Sequence, residues 1–168
     1  MNYYLILTIL VISFASCRSS KKLTDNDLKE FQELETLVEN RQFEIVNNFA
    51  NSQLGNNISI INTVNFLRMD KDSVNIDLPF FGRRFYGNPS EKEGGIVCKG
   101  LIEDYKIKEQ PDKSRIQIEF KATSENNEDF NFLIFIYSNG KADTSVNSSE
   151  RSRISYRGDF SKLEETFN

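Results

Sequence analysis

The stretch Phe80-Phe81-Gly82-Arg83-Arg84-Phe85-Tyr86-Gly87 is where residue types gather most like a site. Two guanidinium groups offer bidentate contacts to a carboxylate or a phosphate, and the rings beside them offer stacking. Phe81, Arg83, Arg84 and Tyr86 are therefore the candidate residues for binding a ligand or partner, whether a protein, an anionic lipid or a glycan. A purely structural reading competes with this one. In it Pro79 ends a strand, Gly82 and Gly87 supply unusual dihedrals, the rings plug the core, and the arginines are solvated or paired.

Other chemistry is limited by what the chain lacks. It contains no histidine, so it has neither the usual general base near neutral pH nor the commonest transition-metal ligand. Ser-His-Asp and Cys-His arrangements are excluded with it, as are zinc sites of the usual type. Cys98 has no histidine to activate it, and a buried free cysteine behaves as a small hydrophobe. Asp70, Asp72 and Asp77 lack the glycine and terminal glutamate of a calcium loop. Glu30, Glu33, Glu35 and Glu39 read as a solvated helix face. Arg151, Arg153 and Arg157 share a face of the last strand, either paired with carboxylates of a neighbouring strand or extending the arginine loop into an anion groove. The expectation is a protein with no catalytic residues, no cofactor and no metal. A hydrolase working through a carboxylate pair is the remote alternative, and it needs two carboxylates about 5–9 Å apart in a cleft. The net charge of −4 argues against nucleic acid as a partner.

The elements that must position these residues follow from periodicity. Leu28, Phe31, Leu34 and Val38 recur at helical spacing, with Thr24 as N-cap and Asp25, Asp27 and Glu30 near the positive end of the dipole. One amphipathic helix of about four turns is predicted, ending near Asn40. After it the period changes to two. Phe43, Ile45 and Phe49 open a strand, and Val64 to Met69 with Val74, Ile76 and Leu78 form a hairpin. Strand character resumes in "IVCKGLIEDYKI", and Ile116, Ile118 and Phe120 alternate with polar residues. "FNFLIFIY" is apolar on both faces and belongs in the middle of its sheet. Asn139-Gly140 marks a further hairpin, and a last strand from Ile154 is closed by Gly158. The fold class is mainly β with one N-terminal helix (α+β). It is a single antiparallel meander of seven to eight strands, curved into a half-barrel or barrel, with a two-sheet sandwich as the alternative.

The N-terminus carries an address. Tyr3 to Phe14 is apolar but too short to span a bilayer, and matches the core of a secretory signal. Ala15-Ser16-Cys17 follows it and resembles the lipobox of bacterial lipoproteins. That resemblance implies a diacylglycerol on Cys17, cleavage before it, and acylation of the new amine. Plain secretory cleavage nearby is the alternative. With Cys17 lipidated, Cys98 has no disulfide partner. The organisation is then a signal peptide over 1–16, a lipidated tether over 17–23, and one β-rich domain over 24–168. Arg18 follows the cysteine in place of an inner-membrane retention aspartate, which implies an outer-membrane lipoprotein facing the periplasm.

"FEIVNNFA", "VNIDLPFFGRRFYG" and "RSRISYRGDF" together resemble the domain of unknown function 4251 family, small lipoproteins of Gram-negative bacteria. The resemblance runs from about Phe43 to Phe160, with Leu78 to Arg83 and Arg151 to Gly158 as its anchors. It implies the same address and no activity. The leading expectation is a membrane-anchored, non-catalytic binding or scaffold module that contacts another envelope component, a protein, lipid or glycan, through residues 80–87. The runner-up is a periplasmic carrier enclosing a lipid or acyl chain between Ile118, Phe120, Phe132 and Ile134.

Overall fold

The computed structural model describes residues 25–53, 55, 57–85 and 94–164. Thr24, Cys17 and Tyr86 lie outside them. The predicted helix is present as α1, Asp25–Glu39. Phe31, Leu34 and Val38 are buried while Lys29, Glu33 and Glu39 face out, as the spacing requires.

Among the described residues ten strands form rather than seven to eight: β1 (Gln42–Ser52), β2 (Asn57–Ser59), β3 (Phe66–Asp70), β4 (Ser73–Leu78), β5 (Ile96–Leu101), β6 (Glu103–Gln110), β7 (Arg115–Thr123), β8 (Asp129–Tyr137), β9 (Lys141–Asn147) and β10 (Ile154–Lys162). All pairings are antiparallel, and the sheet order is β5-β4-β3-β1-β10-β9-β8-β7-β6, with β2 added onto β1. The first strand therefore pairs with the last, and the sheet nearly closes as a barrel. The sandwich alternative does not form.

The additional strands have two physical sources. Short β2 borrows the end of β1, pairing Phe49 with Ser59 and Asn51 with Asn57. The run read as one strand is broken at Ile102 into β5 and β6. A one-residue link cannot make a hairpin, so β5 and β6 are halves of one bent stave, the first paired with β4 and the second with β7. Left-handed backbone at Gly100 (φ +133) and Asp104 (φ +53) brackets the bend. This stave brings the two edges of the sheet together. At Asn139-Gly140 the predicted hairpin forms, with Gly140 left-handed at φ +74.

Alternation sends one face of nearly every strand inward. Ile116, Ile118 and Phe120 on β7, Phe132, Ile134 and Ile136 on β8, and Ile154 and Tyr156 on β10 share one core with Phe31, Leu34 and Val38. Strand β1 departs from its expected pattern because a bulge between Asn47 and Phe49 shifts the register against β10. The bulge turns Phe49 outward and buries Ala50 instead, while Asn47 keeps the inward parity of Phe43 and Ile45. Gly158 does not end the last strand. It sits in mid-β10 opposite Asn47, and β10 continues to Lys162.

Helix α1 covers one end of the barrel. Its Val38 carbonyl accepts a hydrogen bond from Tyr105 Oη on β6 (3.2 Å). Arg41, just after the helix, stacks over the Tyr105 ring and pairs with Asp72 in the β3–β4 turn. The backbone N–H of Lys71 donates to the Arg41 carbonyl (2.8 Å). The outward residues of the nearby strands, Glu44 and Arg68, are polar and bonded to each other, so the apolar stripe of α1 finds its partners only over the mouth.

Candidate functional site

Among the described residues, the opposite end of the barrel is built from residues 79–85, the β7–β8 turn and the β9–β10 turn. Residues 79–85 leave β4 and lie against the β9–β10 turn. The backbone N–H of Arg83 donates to Ser152 Oγ (3.0 Å), and the Ser152 N–H donates to the Arg83 carbonyl (2.9 Å). Arg84 forms a β-bridge with Arg151, and the Phe85 N–H donates to the Glu150 carbonyl (2.7 Å). Tyr156 Oη donates to the Pro79 carbonyl (2.8 Å). The two anchors of the family resemblance are thus one structural unit, although they lie far apart in sequence.

Beneath this strap sits a buried ion pair. Arg151 is 6% exposed and Glu128 3%. Arg151 Nε donates to Glu128 Oε1 at 2.8 Å and Nη2 to Oε2 at 2.6 Å, the bidentate fork that suits a carboxylate. Its Nη1 donates to the Gly95 carbonyl (2.7 Å), and Ser148 Oγ donates to Glu128 Oε1 (2.7 Å). The guanidinium lies between the Phe80 and Phe130 rings, 5.1 and 5.3 Å from their centroids. Every strong valence of the pair is used inside the fold, so Arg151 is an internal fastener and not an anion receptor.

The sequence-predicted residues separate accordingly. Arg84 leans toward the pair, its Nη2 3.8 Å from Glu128 Oε2. Phe81 is partly buried against the core. Only Arg83 projects its guanidinium to solvent, with Phe85 beside it at 58% exposure. Arg151 does not share the outward face of Arg153 and Arg157, because it precedes β10 and turns inward. Arg153 instead bonds Ser145, and Arg157 pairs with Asp143. Glu128 was missed, since "ATSENNED" reads as a polar turn. The backbone gives a clue only in three dimensions, where Ser124 N–H donates to the Glu128 carbonyl and closes the turn. Gly82 serves close approach: a Cβ there would fall 2.6 Å from the Phe80 ring and nearer still to Ser152 Oγ.

Two open spaces lie among the described residues. A concavity of about 40 Å³ between Arg84, Gly95, Ser124 and Arg151 holds no more than an ion or a few waters. A wider groove of about 320 Å³ lies by Asp104, Lys106, Lys121 and Asn131, with Phe120 and Phe132 also in its lining. Asp104 there is bonded to Lys121 (2.7 Å), which holds its carboxyl below the usual range, the opposite of what a general acid needs. Cys98 is buried, and burial pushes its thiol up to about 12, so it is not a nucleophile at neutral pH. Among the described residues no cluster of three or more Cys, Asp or Glu is placed to hold a metal ion. Ile118, Phe120, Phe132 and Ile134, the proposed walls of a lipid chamber, pack to within 2% of complete burial. Phe120 and Phe132 are cross-strand neighbours on one wall of the barrel, and their rings stack 4.8 Å apart.

Comparison with known proteins agrees with the motif unit. The model for "Domain of unknown function (DUF4251)" matches residues 25–160. The chain belongs to the DUF4251 family. The match takes in α1 as well as the whole barrel, so the helix is part of the family's domain rather than an appendage. The fold is also that of a crystal structure of a DUF4251 family protein from Bacteroides eggerthii DSM 20697. That likeness has a TM-score of 0.64 at 14% identity, covering 82% of this chain and 91% of that one. No curated protein matches.

Proposed function

We propose that this DUF4251 protein is a lipid-anchored, non-catalytic binding module of the bacterial cell envelope, and that it engages a protein partner through Arg83, Phe85 and the edge of Phe81. The carrying observation is the strap itself. Residues 79–85 are held by four hydrogen bonds through their backbone and rest on a buried ion pair, while the Arg83 and Phe85 side chains are left to solvent. A rigid base presenting one guanidinium and one ring is what interface hot spots favour. The partner it suits offers a carboxylate beside an apolar surface.

Arg84 stands beside Glu128, so its replacement would disturb the fold as well as the surface. The informative variant is Arg83→Ala with Phe85→Ala. It is expected to weaken partner capture by about thirtyfold, a loss of about 2 kcal/mol at a hot spot, while leaving thermal stability unchanged. Full retention of every captured partner would rule out this surface.

The anchor rests on the apolar run ending at Ala15-Ser16-Cys17. Among the described residues no helix is long and apolar enough to cross a membrane. Cys17→Ala is expected to move the protein from the membrane fraction to the soluble fraction and to abolish the acyl mass on its N-terminal peptide. A membrane-bound, unmodified wild-type N-terminus would refute the anchor.

A further inference from the structure

The geometry points to a fixed orientation: the α1-covered end of the barrel is the membrane-proximal end, and the Arg83–Phe85 surface points away from the anchoring bilayer. Its partner is then presented from the far side, and the headgroups of the anchoring leaflet are not that partner. This rests on the anchored reading of Cys17.

Magnitudes decide it. From Cys17 to the first residue of α1 the chain has eight steps, a reach of at most about 28 Å and a typical span of about 16 Å. Helix α1 has fifteen residues, about 22 Å, enough to cross the mouth of a small barrel. Its buried stripe belongs to the barrel core, and its carboxyl end is pinned to β6 and the β3–β4 turn. The tether therefore joins at the mouth. Strand β1 runs eleven residues from that end toward the other. At about 3.3 Å per residue and a barrel tilt of about 40°, that is a height of about 28 Å. The helix layer adds about 10 Å. Turning the Arg83–Phe85 end toward the anchor would need the tether to travel about 38 Å, more than its full extension of about 28 Å.

The electrostatics of the two ends are consistent with this division. The loop end spends Glu128 on Arg151 and leaves Arg83 available for a distant partner. The helix end carries a paired Arg41–Asp72 and an outward row of Glu33 and Glu39.

The chain has no tryptophan, so single-tryptophan reporters are clean. Leu101→Trp marks the helix end, where Leu101 pairs with Ser73 and is 77% exposed. Phe85→Trp marks the other end. The acylated protein, purified from membranes, is reconstituted into phosphatidylethanolamine–phosphatidylglycerol vesicles carrying nitroxide-labelled headgroups. Because the tether keeps only the helix end within about 28 Å, quenching is expected to be at least about threefold stronger for Leu101→Trp. Lys99→Trp and Glu125→Trp, both at exposed positions, repeat the comparison independently. Protein that floats with the vesicles but shows equal or reversed quenching overturns the orientation and leaves the anchor intact. Protein that does not float overturns the anchor, and the orientation with it.

Discussion

Replacing Glu128 with alanine is expected to remove about 3–5 kcal/mol of folding stability, a fall in melting temperature on the order of 10 °C. The change deletes the acceptor for Arg151 Nε and Nη2 but leaves the guanidinium at 6% exposure. Arg151 is not free to swing out into bulk solvent, because its Nη1 is held by the Gly95 carbonyl and its guanidinium lies over the Phe80 and Phe130 rings. An uncompensated buried charge is the costly state, whereas a buried pair replaced whole is often near neutral. Glu128→Leu combined with Arg151→Met should therefore recover most of the loss. Urea denaturation of the single and double variants measures both effects. A single-variant loss below about 1 kcal/mol, or a double variant as unstable as the single, would show that packing rather than charge pairing fastens this end.

Gly158→Ala is expected to cost about 3 kcal/mol or more by forcing β10 off β1. A Cβ at Gly158 would lie 2.6 Å from the Asn47 Cα and closer still to the Val46 carbonyl oxygen. Both are backbone atoms of the strand that closes the barrel, so no side-chain rotation relieves the clash. The damage falls on the first-to-last strand pairing, which depends on contacts between the two ends of the domain. Gly94→Ala is the matched control, since nothing lies within 4 Å of a Cβ there. Thermal melts should separate the two by on the order of 10 °C, and indistinguishable melts would mean that the β1 bulge can absorb the methyl group.

These two sites show where the sequence was readable and where it was not. The arginine loop stood out as the place where chemistry-bearing residue types gather, and its aromatic-glycine-arginine pattern pointed to the family. What it could not reveal is that one of its two arginines supports the fold while the other is free. That division depends on Glu128, which stands 23 residues before Arg151 inside a turn whose composition is ordinary. Arg151, Arg153 and Arg157 have the same parity, and parity predicts a shared face only within a regular strand. Arg151 lies before β10 begins, so the rule did not apply to it. In β1 the single extra residue of the bulge reversed the faces of Phe49 and Ala50, because a one-residue slip exchanges every side chain after it.

By itself the sequence determined the local directions of the chain: a 3.6-residue stripe for α1, period-two alternation for the strands, and a glycine where the β8–β9 hairpin needs left-handed backbone. It also determined, through the missing histidines, that no imidazole of this sequence serves as a base or a metal ligand. These are properties set by neighbours a few residues apart. Only the tertiary structure decided that β1 pairs with β10, that β5 bends into β6 to bring the sheet edges together, and that one carboxylate is buried against one guanidinium. Those outcomes join residues distant in sequence, and they follow from packing and desolvation summed over the whole barrel, which no local pattern encodes.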